Sequence, residues 1–157
     1  MRIGLGHDTH RLVAGRPLVL AGVHIEHSRG LAGHSDADVV LHAVVDALMG
    51  AAGLGDIGDA YPDDDPAYHN ANSVEFLNNT VQKIKAKGYQ IVNLDVIIHA
   101  QEPKLGPLKT ILRENLAKLL KIRLDCVNIK AKTGEQVGHI GRGEAIACQA
   151  VVLLQEA

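Results

Sequence analysis

Aromatic residues are nearly missing from this chain, with no Trp, one Phe and three Tyr among 157 residues. A charge excess is missing too, since 16 Lys and Arg face 18 Asp and Glu. Nucleic-acid surfaces combine clustered cations with stacking aromatics, and no such stripe exists here, so no nucleic-acid partner is expected. A small anion held locally remains compatible with a net charge of −2. Cysteine is scarce: Cys126 and Cys148 form no C-x-x-C pair. Two such thiols read as small buried hydrophobes in a reducing compartment, without a disulfide. No apolar run approaches the roughly 20 residues of a membrane span, so no membrane is expected. Met1 leads straight into a strand-like run with no targeting pattern. These absences predict a cytoplasmic protein.

What is present suffices for one core. With 46% apolar residues, residues 1–157 read as a single domain. Arg2 to His10 alternates as a strand does, and Pro17 to Ile25 reads as a bent hairpin interrupted by Gly22. From Ala37 the period becomes helical, with Val40, Val44, Leu48 and Ala51 on one face, Asp36 placed as N-cap, and Gly53 and Gly55 ending the run. Residues 55–69 hold two Pro and five Asp, a composition suited to a mobile acidic loop. Asn72 to Lys87 is an amphipathic helix closed by Gly88, Tyr89 to Ala100 a strand, and Leu105 to Leu120 a helix that admits Pro107 in its first turn. Val127 to Lys132 and Glu144 to Leu154 are strands joined by a Gly-rich segment. Strands alternating with helices make the class α/β or α+β.

Chemistry concentrates in a few places. Side chains two apart share one face of a strand, so Asp8 and His10 can converge on one point. His42 follows Asp38 by one helical turn, which lets His42 reach a metal while an Asp one turn away orients its other ring nitrogen. Three ligands leave a position open, the mark of a catalytic zinc, and this nitrogen and carboxylate mixture favours zinc over magnesium or calcium. The bland alternative is a strand edge and an ordinary helix histidine. Gly33 to Asp38 offers backbone N–H groups at a positive helix end, where His34 and Ser35 add donors for a phosphate; a plain helix cap looks the same. Asp56 and the carboxylates of 61–65 suit a polyol, or simply an acidic surface loop. Lys104, Thr133 and Glu135 suit a nucleotide diphosphate with Mg²⁺, or a solvated cation and a turn.

Six motifs stand in order: D-x-H at residue 8, G-H-S-D-x-D-x-x-x-H-A-x-x-D-A at 33, G-D-I-G at 55, P-D-x-D at 62, A-Q-x-P-K at 100, and T-x-E-x-x-G-x-x-G-R-x-E-x-I at 133. Together they closely resemble the 2-C-methyl-D-erythritol 2,4-cyclodiphosphate synthases of non-mevalonate isoprenoid biosynthesis. The resemblance runs from residue 2 to about 154. It implies a single-domain α/β (α+β) fold, a mixed four-stranded sheet covered by helices on one face plus a small hairpin. It also implies a homotrimer with active sites between subunits, and a lyase reaction. In that reaction 4-diphosphocytidyl-2-C-methyl-D-erythritol 2-phosphate closes to the cyclic diphosphate and releases CMP.

By position, the resemblance assigns Asp8, His10 and His42 to Zn²⁺, or another divalent transition metal, and Glu135 to Mg²⁺ on the substrate diphosphate. It assigns His34 and Ser35 to substrate phosphate, with Asp8 and His10 close by. Asp56, Ile57, Gly58, Tyr61, Asp63 and Asp65 would hold the methylerythritol part. Ala100, Lys104, Leu105 and Gly106 would hold the cytidine of the adjoining site, and Lys132, Thr133 and Glu135 the diphosphate. His34 and Thr133 would stabilise the transition state.

Two departures from the family pattern stand out. Lys132 and Gly134 flank Thr133 where a Thr-rich run is usual, and His139 replaces an aromatic Phe. In family trimers that Phe and the arginine matching Arg142 line a central cavity able to hold an isoprenoid diphosphate. A smaller, polar His139 weakens apolar binding and leaves an anion site at Arg142, or a pairing of Arg142 with Glu144 across threefold contacts. Two other functions share these residues: a zinc phosphoesterase that hydrolyses a nucleotide diphosphate, and a trimeric binding module without turnover.

Overall fold

The computed structural model describes residues 1–62 and 64–157, so the assignment made for Asp63 lies outside the described residues. Four long or medium strands build the main sheet: β1 (Arg2–Ala14), β5 (Tyr89–His99), β6 (Val127–Lys132) and β7 (Ala145–Glu156). A short hairpin, β2 (Leu18–Leu20) and β3 (Val23–Ile25), forms a separate two-stranded sheet. The sheet also has a fifth strand that the alternation did not reveal, β4 (Arg29–Leu31), paired to the end of β1. Three residues are too few for a period-2 pattern to be read.

The order β4-β1-β7-β5-β6 is mixed: β1 and β5 flank β7 antiparallel, while β5 and β6 run parallel. The parallel pair needs a crossover. It is supplied by α4 (Lys109–Leu120), entered through a 3₁₀ turn at Gly106–Leu108 that contains Pro107.

Helix α1 (Val39–Ala52) is the central element. Eleven of its 14 residues are buried, so it is apolar nearly all round, as a helix covered on both sides must be. It lies between β1 and β7 on one side and α3 (Ser73–Ala86) on the other. Gly53 ends it in the left-handed conformation, at φ 64°. Helix α3 starts on Asn72, whose side chain accepts from the Val74 N–H, and carries Lys83 and Lys85 in its last turn.

The stretch expected to be loop contains two short helical turns, α2 (Ile57–Ala60) and a 3₁₀ turn at Pro66–Tyr68. Asp56 and Asp65 cap them, so aspartates that suggested mobility act here as helix starts. A four-residue helix, α5 (Gly138–Gly141), interrupts the Gly-rich segment before β7.

Alternation along β1 separates two environments. Gly4, Gly6, Asp8, His10 and Leu12 face α1, while Ile3, Leu5, His7, Thr9 and Arg11 point to the opposite, open face. Ile3 and Leu5 are 72% and 67% exposed there, beside Val151 of β7 at 40%. Among the described residues no helix is long and apolar enough to cross a membrane.

Candidate active site

Asp8 and His10 come from β1 and His42 from the first turn of α1, and the three ligand atoms lie within 4.8 Å of one another. His10 Nε2 is 2.9 Å from Asp8 Oδ2, His42 Nδ1 is 3.0 Å from the same oxygen, and the two nitrogens are 3.1 Å apart. A tetrahedral zinc with bonds of about 2.0–2.1 Å would set ligand edges of roughly 3.3 Å. The triangle therefore fits such an ion and leaves one corner for a fourth ligand. His10 Nδ1 lies 2.8 Å from the Ala32 carbonyl oxygen. A carbonyl only accepts, so Nδ1 carries a proton and Nε2 is the nitrogen turned to Asp8 and the candidate ion position.

Asp8 is held on its outer side by the Thr9 N–H, 2.8 Å from Oδ1. Burial pushes its carboxyl up, but the hydrogen bonds and positive charge of His10 and His42 outweigh burial and hold it well below the usual carboxylate range. The carboxylate is thus ionised wherever a divalent cation would compete for it.

The entry to α1 differs from the sequence expectation. Asp38, not Asp36, is the N-cap, and the helix begins at Val39. Both are good capping residues, and tertiary contacts choose between them. The Ala21–Gly22 turn of the β2–β3 hairpin sends two N–H groups to Asp38, at 2.9 and 2.6 Å, while Val40 and Leu41 donate at 3.1 Å each. Burial is the largest influence on Asp38 and pushes its carboxyl up to about 6, against the pull of these N–H donors. Fully occupied in this way, Asp38 does not orient His42 as its spacing suggested. Asp46, the other aspartate on that stripe, accepts from the Ile57 N–H at 3.3 Å. His42 Nε2 instead meets Ser73 Oγ at 2.8 Å and Ser35 Oγ at 3.2 Å. Ser73 lies 31 positions from His42 and carried no local signal.

The remaining predicted residues fall into groups. His34 and Ser35 adjoin the triad: His34 Nε2 is 3.1 Å from the Asp65 backbone oxygen, and its ring meets His69 edge-on at 5.0 Å. Asp56 forms a reciprocal cap with Asp59, which places Ile57 and Gly58 in α2. The Tyr61 ring stacks on Phe76 at 4.3 Å and its hydroxyl donates to the Phe76 carbonyl, so this side chain is a core anchor.

A second group lies at the end of the parallel strands. Ala100, Lys104, Leu105, Gly106, Lys132 and Thr133, with Lys109 and Ala131, line a cavity of about 140 Å³. Parallel pairing of His99 with Lys132 brings both loops out together, where ligand sites collect on such sheets. Thr133 Oγ1 donates to Glu135 Oε1 at 2.6 Å. In the sheet order, β7 separates β1, which carries Asp8 and His10, from β5 and β6, which carry this group. His139 and Arg142 line a third cavity of about 520 Å³ with Thr9, Arg11 and Arg29. Arg142 pairs with Glu144 at 2.7 Å inside the same chain.

Fold and site together define an α/β protein with a candidate three-ligand metal site at the junction of a strand and a central helix. The chain matches the YgbB family over residues 1–155 and belongs to it. It is 54% identical over 153 residues to the 2-C-methyl-D-erythritol 2,4-cyclodiphosphate synthase of Bordetella avium, covering 98% of this chain and 94% of that protein. A solved structure of such a synthase in a CDP-bound form superimposes with a TM-score of 0.90 at 38% identity, covering 98% of this chain and all of the other. The bifunctional IspDF of Campylobacter jejuni gives a TM-score of 0.95 at 43% identity, and this chain spans 99% of itself but 42% of that longer protein.

Proposed function

We propose that this chain converts 4-diphosphocytidyl-2-C-methyl-D-erythritol 2-phosphate to 2-C-methyl-D-erythritol 2,4-cyclodiphosphate and CMP in the cytoplasm. The observation that carries this reading is the convergence of Asp8, His10 and His42 on one point in a chain that belongs to the YgbB family. The synthase activity of its relatives gives the product, and the CDP-bound relative supports a cytidine-binding role for the cavity at Ala100–Gly106 and Lys132–Thr133.

In this reading Asp8, His10 and His42 hold Zn²⁺ or a similar transition ion, and Glu135 holds Mg²⁺ with the diphosphate. When bound, the two ions supply Lewis-acid neutralisation of charge on the transferring and departing phosphates. The chain's own residues perform the rest. The attacking 2-phosphate and the β-phosphorus belong to one molecule, so the protein must fold the substrate into an in-line arrangement. Such alignment supplies roughly 7–11 kcal/mol in favourable intramolecular cases. The cavity beside Lys104 anchors the cytidine end, while Ser35 and the segment of Asp56, Ile57, Gly58, Tyr61, Asp63 and Asp65 hold the sugar phosphate end. Tyr61 contributes through its backbone, because its ring is buried. His34 and the Thr133 hydroxyl donate hydrogen bonds to phosphate oxygens as charge builds. No covalent intermediate is needed.

A homotrimer completes the proposal. The open sheet face, with Ile3, Leu5 and Val151 exposed, supports its burial by further copies of the chain. A neighbouring subunit would then bring its cytidine cavity to this chain's metal centre.

The test is incubation of the protein with the diphosphocytidyl substrate, with and without each metal, followed by phosphorus NMR and a solution mass. The expected result is CMP with the cyclic diphosphate, dependence on both metals, and a mass three times the 16.8 kDa of one chain. His42→Ala should abolish turnover and keep the fold. Uptake of labelled water oxygen would mean a phosphoesterase instead, and stoichiometric binding without CMP release would mean a binding module.

A further inference from the structure

We propose that Ser73, backed by Asp36, is the positioning pair of the metal centre: it holds the proton of His42 on Nε2 and turns Nδ1 to the ion. The inference rests on the reading that the triad takes a divalent ion.

Ser73 is the first residue of α3 and has no solvent exposure. Its hydroxyl is not needed to start the helix, since the Asn72 side chain already accepts from the Val74 N–H at 2.9 Å. The hydroxyl instead donates to Asp36 Oδ1, and the Ser73 N–H donates to Asp36 Oδ2 at 3.0 Å. An ionised carboxylate only accepts, so the hydroxyl proton points at Asp36. What Ser73 turns toward His42 Nε2, 2.8 Å away, is therefore a lone pair. Nε2 must carry the proton, so Nδ1, whose own proton is shared with Asp8 Oδ2 3.0 Å away, is the nitrogen that gives up its proton when an ion binds. Ser35 Oγ is the more distant neighbour of the same nitrogen, at 3.2 Å, and is engaged by the Ala37 N–H at 3.1 Å.

The two histidines thus present opposite ring nitrogens because their orienting partners differ. His10 leans on a backbone carbonyl through Nδ1, whereas His42 leans on a hydroxyl through Nε2. Asp36 has a second task in the same clamp. Its own N–H donates to the Ala71 carbonyl at 3.0 Å, and the Asn70 N–H donates to the His34 carbonyl at 2.8 Å. The segment carrying His34 and Ser35 is thereby laced to the residue that orients His42, so the phosphate-binding and metal-binding groups share one support.

The experiment compares wild type, Ser73→Ala and Asp36→Asn with two readouts. Metal-free protein is titrated with Co²⁺ and Zn²⁺ against a competing chromophoric chelator, and the His42 ring nitrogens are read by ¹⁵N NMR in the Zn²⁺-loaded protein. Wild type should show protonated Nε2 and ion-bound Nδ1. Ser73→Ala should lose about 10- to 100-fold in affinity, the usual scale for removing such a partner, and should show a mixed tautomer. Asp36→Asn keeps an acceptor for the hydroxyl but no charge, so it should fall between. It also supplies both readouts without disturbing the packing at position 73. Wild-type affinity in Ser73→Ala, or lost affinity with an unchanged ring signal, would overturn the pair's role while the triad stands. A wild-type protein that takes up neither ion would remove the metal reading itself, and this inference with it.

Discussion

Replacing Gly6 by Ala should damage the metal centre from a distance, because Gly6 sets how closely α1 can lie on β1. A Cβ at Gly6 would fall 2.0 Å from the Ala43 carbonyl oxygen and 2.6 Å from the Ala47 nitrogen, both helix backbone. Carbon–oxygen contacts settle at about 3.3–3.6 Å, so the helix must retreat by roughly 1.3 Å. Neither backbone can yield cheaply. His42 immediately precedes Ala43, and Asp8 is the next residue after Gly6 on the same strand face, so the retreat opens the triad directly. Metal bonds tolerate only about 0.2 Å, and a 1 Å misplacement in a preorganised site typically costs about 100-fold. Overpacking of a rigid contact typically costs ~1–3 kcal/mol, partly offset by ~0.4–1 kcal/mol from a stiffer unfolded chain. The expected result is Zn²⁺ affinity weaker by about two orders of magnitude, with a urea midpoint lowered by the equivalent of ~1–2 kcal/mol. Affinity within about twofold of wild type would refute the claim that this close approach places His42.

Asp38 should titrate near 6, measurable from its side-chain carboxyl carbon by ¹³C NMR. A carboxyl raised from 3.8 to about 6 contributes stability below its unfolded value and loses it as pH rises through the folded one. Relative to Asp38→Asn, wild type should therefore lose up to roughly 3 kcal/mol between pH 4 and 6 in denaturant unfolding; a flat difference would contradict the burial argument. Leu48→Ala, at a fully buried position of α1, should cost ~2–5 kcal/mol. Equilibrium unfolding checks this, and a loss below about 1 kcal/mol would mean that α1 is not the centre of the core.

Local periodicity made much of this molecule readable. Apolar spacing announced α1 and α3, because both bury a continuous face, and the Asp8-x-His10 alternation announced two polar donors on one strand face. The order of motifs along the chain carried the family, since motif order is a property of sequence. Other features had no local signature. Asp36 and Asp38 are equally good caps as residues, and the amides of a hairpin turn 16 and 17 positions earlier decided for Asp38. Asp36 was then left to reach Ser73, and Ser73 to reach His42, across separations that no periodic pattern reports. Gly4 and Gly6 looked like ordinary strand residues until α1 was seen resting on them. Residue types and spacing determined which atoms were able to bind a cation, because donor chemistry and alternation are local properties. Tertiary packing alone decided that those atoms meet, which nitrogen each ring presents and what holds it there, because these depend on contacts between distant segments.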